Sequence, residues 1–122
     1  NKTIGILGLA FKPNTDDVRE SPALDIIRAL QTEKAHIKVY DPAAMDNMKA
    51  LVGDSVDYCE NPYDAARDAD ALVLLTEWDE FRNMDLYQLK DLMSRPVLVD
   101  GRNLFDPQRV SDLGWEYYGT GR

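Results

Sequence analysis

The run Ala71-Leu72-Val73-Leu74-Leu75 is apolar at every position. A strand with one wet face alternates apolar and polar residues. An unbroken apolar strand is covered on both faces, as in a parallel sheet wrapped by helices. Similar runs alternate with helical patterns along the whole chain. Thr3–Leu7 predicts the first strand, and Leu24, Ile27 and Leu30 at helical spacing predict a helix over 23–31. Residues 37–40 predict the second strand, stopped by Asp41-Pro42. A short helix over 44–51 ends at Gly53, and 55–58 read as a weak edge strand. Asn61 as N-cap and Pro62 at the first helical position open a helix reaching Asp68. Residues 71–75 are the central strand, 86–93 a helix, and 96–100 a strand. Asp106-Pro107 opens a helix to Leu113, and 115–118 form the last strand. This alternation predicts an α/β fold. Its six-stranded sheet is doubly wound and mostly parallel, in the order 3-2-1-4-5-6, with helices on both faces.

A length of 122 residues fits one domain. The formal net charge of −8 argues against a nucleic-acid or anionic-membrane partner, while leaving room for a small anion held by a few local cations. With one cysteine, Cys59, no internal disulfide forms, and a cytoplasmic, reducing location is expected. No apolar run approaches the ~20 residues of a membrane span, and no signal peptide is visible. A start at Asn1 with a strand by Thr3 predicts a piece of a longer protein, or one with a tag removed.

The first strand runs into a long polar loop, residues 8–20, before Ser21-Pro22 opens the first helix. In a parallel α/β sheet such a loop lies at the carboxyl end of a strand, where ligands bind. It carries Lys12 and Arg19. Both suit phosphate oxygens, Lys as a point charge and Arg as a bidentate fork. Both could instead pair with Asp16, Asp17 or Glu20. Little of the loop is apolar, so it is expected to pack weakly and to be the most mobile internal segment without ligand. The fourth strand ends in Thr76-Glu77-Trp78-Asp79-Glu80-Phe81, and the fifth in Asp100-Gly101-Arg102-Asn103. In the predicted order these three strand ends are neighbours. Arg102 follows a glycine that allows a sharp turn; it serves either a ligand or a structural salt bridge.

Other motifs weigh less. Gly5-Ile6-Leu7-Gly8 is not a GxGxxG fingerprint, so a dinucleotide pyrophosphate on this loop is not expected. Asp41 stands where a ribose-binding acid would, but Asp41-Pro42 reads more simply as a strand-stopping turn. Thr76, Glu77 and Trp78 could serve a base or sugar, or form a helix N-terminal turn with Trp78 packed as core, whereas Phe81 is expected in the core. Cys59 lacks a cationic sequence neighbour and reads as a structural thiol. His36 starts a strand without a partner motif, so no catalytic role is assigned to it.

GLAFKPNTDDVRESPAL at 8–24, YDPAA at 40–44, LLTEWDEF at 74–81 and VDGRNLFD at 99–106 together resemble the C-terminal domain of the UDP-glucose/GDP-mannose dehydrogenase family. They span nearly the whole chain in the family's order. The resemblance implies a Rossmann-like, UDP-sugar-binding C-terminal domain over residues 1–122. The NAD-binding domain and a central helix that mediates homodimerisation would lie outside this chain. It implies an enzyme that turns a nucleotide-sugar primary alcohol into a carboxylate by two NAD-dependent oxidations, through a cysteine in a glycine-rich motif absent here. Cys59 does not inherit that role, and the chain alone is expected to be inactive. By position, the resemblance places Phe11, Lys12 and Arg102 at the nucleotide sugar and directs Arg19 across the cleft toward NAD. Residues 14–17 and LLTEWDEF look most like the UDP-glucose branch. The GDP-mannose and UDP-N-acetylhexosamine branches, and a stand-alone nucleotide-binding module, are the alternatives.

Overall fold

Six strands form one sheet in the order β3-β2-β1-β4-β5-β6 in the computed structural model, which describes residues 2–120. The strands are β1 (Thr3–Leu7), β2 (His36–Tyr40), β3 (Asp57–Tyr58), β4 (Ala71–Leu74), β5 (Val97–Asp100) and β6 (Glu116–Gly119). Every pairing is parallel, so the expected order holds and the sheet is parallel throughout. Three expected strands are shorter. β3 has two residues rather than four, β4 stops at Leu74, and β5 starts at Val97 rather than Pro96. The chain reverses direction on either side of β1, which places the ends of β1, β4 and β5 side by side at the switch point.

The helices start where local chemistry directs. Ser21 caps α1 (Pro22–Thr32) by accepting from the Ala23 amide, with Pro22 in the first turn. Asn61 does the same for α3 (Pro62–Ala66), Asp85 for α5 (Leu86–Leu92) and Asp106 for α6 (Pro107–Asp112). α2 (Met45–Val52) ends at Gly53, as expected. A single-turn helix, α4 (Asp79–Arg82), starts after Trp78, which is the helix N-terminal turn left open for residues 76–78; fully buried Phe81 anchors it.

Two apolar layers hold the sheet. On one face Leu7, Leu72, Leu74 and Leu98 pack with Ala65, Phe81, Leu89 and Val110 from α3, α4, α5 and α6. On the other, Ile6, Ile37 and Val39 pack with Ala23 and Ile27 of α1 and Met48 of α2. No helix among the described residues is long and apolar enough to cross a membrane.

Candidate functional site

The chain leaves β1 at Gly8, whose φ of 100° lies in the left-handed region. A Cβ there would sit 2.5 Å from the Thr76 hydroxyl, so β1 and β4 approach too closely for any other residue. Leu9 and Ala10 then donate their amides to one oxygen of the Asp41 carboxylate, at 2.7 and 3.1 Å. The Ala43 and Ala44 amides donate to its other oxygen at 2.8 and 2.9 Å, and the Trp78 indole adds a fifth bond at 3.3 Å. Asp41 is fully buried.

The strand-stopping turn expected at Asp41-Pro42 is present, and its carboxylate does more than end the strand: it ties the β1 loop, the start of α2 and the β4 loop together. Both of its oxygens are engaged, which leaves none for a ribose. The amides that would cradle a pyrophosphate in a dinucleotide fold here face this buried anion. The β1 end does not fit a dinucleotide.

The expectation of a weakly packed loop is corrected. Leu9 and Ala10 are fully buried, and Val18 nearly so, within the α1–α2 layer. The Phe11 amide donates to the Asp17 carbonyl at 3.0 Å, folding the loop back on itself.

At the end of β5, Asp100 plays a part like that of Asp41. Fully buried, it accepts from the Arg102 amide at 3.2 Å, the Phe105 amide at 2.9 Å and the Tyr117 hydroxyl at 2.8 Å. Gly101 donates to the Leu74 carbonyl at 2.8 Å, and a Cβ on it would stand 2.9 Å from that oxygen. Close approach, not a sharp turn, requires this glycine; the left-handed residue here is Asn103, at φ 52°.

Arg102 is aimed by this turn. Its Nε donates to the Leu75 carbonyl at 2.8 Å and its Nη2 to the Phe11 carbonyl at 2.7 Å. The Glu77 carboxylate lies 4.0 Å from Nε. The side chain thus joins all three strand ends, chiefly through backbone carbonyls rather than a salt bridge. Among the described residues no hydrogen bond engages its Nη1.

Lys12 is exposed, with Nζ 5.4 Å from the Phe11 ring centroid, and forms no ion pair among the described residues. Phe11 is half-buried and, with Asp17, Arg19 and Glu20, lines an open cleft of about 330 Å³. A larger hollow of about 490 Å³ lies between residues 15–19 and α2, lined also by Asn47 and Leu51. Its polar groups include two carboxylates, Asp16 and Asp17, which suit an anion less well.

Arg19 is 86% exposed and pairs with Asp17 at 2.7 Å, one of the pairings left open from sequence. The Arg19 side chain, and secondarily its amide, hold the Asp17 carboxyl at about 2, below its ordinary 3.8. A depressed carboxyl gives its full stabilising effect above the ordinary value and loses it as pH falls through the folded one. The pair is therefore complete above about pH 4 and opens only toward pH 2. Neutral-range pH changes should leave the Arg19 Nε–H resonance in place, with a shift appearing only at the acid end. A midpoint above pH 5 would contradict the pairing.

The remaining candidates are structural. The Thr76 hydroxyl is buried and donates to the Ala10 carbonyl at 2.7 Å. Trp78 spends its indole N–H on Asp41, and Phe81 stands edge-on to Tyr40 at 6.0 Å. Burial, then the hydrogen bond to Glu80, pushes the Tyr40 phenol well above its usual range. Burial raises the Cys59 thiol, with Lys38 opposing, so the thiolate is disfavoured. His36 pairs with Asp57 at 2.6 Å across β2 and β3. The structure thus gathers Phe11, Lys12, Arg19 and Arg102 at one corner. Sequence reasoning named Asp41 and Asp100 but missed that each is a buried acceptor for loop donors; the signal was an acid directly ending a strand.

Residues 5–107 match the UDP-glucose/GDP-mannose dehydrogenase family, UDP binding domain. The UDP-glucose 6-dehydrogenase TuaD of Bacillus subtilis (strain 168) is 48% identical over 121 residues, covering 99% of this chain and 26% of that protein. A UDP-glucose dehydrogenase from the archaeon Pyrobaculum islandicum superposes with a TM-score of 0.77 at 34% identity, over 97% of this chain and 24% of that one. An NDP-N-acetyl-D-galactosaminuronic acid dehydrogenase from Methanosarcina mazei Go1 gives 0.85 at 27% identity, over 99% and 25%. The chain thus spans about a quarter of the length of these relatives.

Proposed function

Because this chain belongs to the UDP-glucose/GDP-mannose dehydrogenase family, we propose that it is the UDP-sugar-binding domain of an NAD-dependent UDP-glucose 6-dehydrogenase. The observation that carries this reading is the Arg102 guanidinium, held by two carbonyls across three strand ends with no hydrogen bond on Nη1 among the described residues. Beside it, Lys12 supplies a second cation and Phe11 an aromatic face. An anionic diphosphate joined to a base and a sugar needs such a set: charge for the phosphates, a flat apolar surface for a ring. The full-length enzyme would oxidise the sugar's primary alcohol to a carboxylate, each of two steps passing a hydride to an NAD and water supplying the second carboxylate oxygen. Since the β1 end does not fit a dinucleotide, NAD and the reacting groups would be held mainly outside this chain. Exposed Arg19 would reach the cofactor across the cleft, in exchange for its bond to Asp17. The sugar is read as glucose from the relatives at 47–48% identity that carry that name.

NADH formation by the full-length protein tests the reading, with UDP-glucose compared against GDP-mannose and UDP-N-acetylmannosamine. UDP-glucose should give the highest kcat/KM, and residues 1–122 alone should give none. Lys12→Ala should raise the KM for UDP-glucose about tenfold and Arg19→Ala that for NAD, as expected for the loss of one charge-assisted bond. The same substrate affected in both variants would contradict the division of roles.

A further inference from the structure

Of the run Thr76-Glu77-Trp78 that follows Leu75, structural bonds engage the first and third side chains and leave the second. The Thr76 hydroxyl donates to the Ala10 carbonyl at 2.7 Å, and the Trp78 indole donates to the buried Asp41 carboxylate at 3.3 Å. These bonds pin the backbone on either side of Glu77, whose side chain stays 35% exposed at the corner that holds Arg102. Its carboxylate lies 4.0 Å from Arg102 Nε, too far for a hydrogen bond, and that Nε already donates to the Leu75 carbonyl at 2.8 Å. Among the described residues no hydrogen bond engages either Glu77 oxygen. A half-buried carboxylate on a fixed backbone thus presents two acceptors beside the guanidinium.

We propose that the Glu77 carboxylate accepts hydrogen bonds from the ribose hydroxyls of the nucleotide while Arg102 beside it serves the phosphates. The inference rests on the reading of this corner as a UDP-sugar site. A carboxylate repels phosphate, so a ligand held by both side chains must turn donors to Glu77 and acceptors to Arg102. A nucleoside diphosphate does so over a short span, with two O–H donors on the ribose and acceptor oxygens on the phosphates. In dinucleotide-binding folds an acid takes the ribose hydroxyl. Here the residue in that place is Asp41, whose oxygens are engaged by four amides and an indole. Glu77 follows β4, the neighbour of β1, and so stands at the same end of the sheet with its oxygens unbonded. Uracil suits it less, because the one N–H of the ring is flanked by two carbonyl oxygens that a carboxylate repels.

Calorimetric titration of the full-length protein with UDP and with 2′,3′-dideoxy-UDP, which lacks both ribose hydroxyls, tests the contact. The unmodified protein should bind UDP about tenfold more tightly than the dideoxy nucleotide, as expected for hydrogen bonds to a charged acceptor. Glu77→Ala should weaken UDP by about the same factor and leave dideoxy-UDP nearly unchanged, so that the preference disappears. The preference compares two ligands on one variant, so it does not depend on the fraction folded. Glu77→Gln keeps one acceptor oxygen and should retain part of it. Equal weakening of both nucleotides in Glu77→Ala would mark an acid that only steadies Arg102 and would overturn the proposal. Tighter UDP binding in that variant would overturn it as well, by showing a carboxylate that merely repels the phosphates. So would a loss of UDP-glucose affinity with UDP unaffected, which would assign the contact to the glucose hydroxyls. An unmodified protein that binds UDP without regard to the ribose hydroxyls removes this inference alone, whereas one that does not bind UDP removes the functional reading and this inference with it.

Discussion

Arg102→Ala in the full-length protein should weaken UDP-glucose binding by one to two orders of magnitude while leaving NAD affinity nearly unchanged. A charge-assisted hydrogen bond to a desolvated partner is worth about 1.5–3 kcal/mol, which converts to roughly ten- to a hundredfold in Kd. The same change removes the bonds to the Leu75 and Phe11 carbonyls, so the β1 loop loses its tie to β4 and β5. Arg102→Lys separates the two effects. An ammonium keeps the charge but cannot hold both carbonyls and still present a free N–H in a fixed fork, so it should recover only part of the affinity. Separate titrations of UDP-glucose and NAD, with thermal unfolding of each variant, read the result. A purely structural arginine would lower thermal stability and leave substrate affinity per folded molecule unchanged.

Asp41→Ala should be the most destabilising single substitution in the loop region. It strips the acceptor from four backbone amides and the Trp78 indole at a fully buried position. Each orphaned buried donor costs about 1–3 kcal/mol. Relaxation and water entry should bring the total to about 3–5 kcal/mol, a fall of roughly 10–20 °C in Tm for a domain of this size. Asp41→Asn should fall between, because it keeps one acceptor oxygen but turns an amide NH2 toward N–H donors. Thermal unfolding followed by circular dichroism measures both. A drop below about 3 °C for the alanine variant would show that these bonds are readily replaced by water.

The strand order was legible because its determinants are local. Unbroken apolar runs such as 71–75 mark parallel strands, and Ser21-Pro22, Asn61-Pro62 and Asp106-Pro107 mark helix starts with their own capping atoms. The convergence of Lys12, Arg19 and Arg102 followed from that order, because adjacent parallel strands put their ends together. What the buried acids do was not legible. Asp41 bonds amides 32 and 31 residues earlier and an indole 37 residues later, and no periodic pattern encodes such partners. Arg102 showed the same limit: its charge suggested carboxylate partners, yet its bonds go to backbone carbonyls, which every residue carries. The loop's packing was underestimated because Leu9, Ala10 and Val18 are spaced irregularly among polar residues. Loop folding, not helical or strand periodicity, brings them into the core.

Titrating UDP into isotopically labelled residues 1–122, with amide resonances followed by NMR, bears most directly on the assignment of this chain as a UDP-binding domain. The amides of residues 9–12 and 101–103 should shift together and saturate with one Kd. Those on the far edge, at Asp57 and Tyr58 of β3, should stay in place, and NAD should move none of the first set. No saturable shift with UDP, or the same amides moving with NAD, would contradict the assignment.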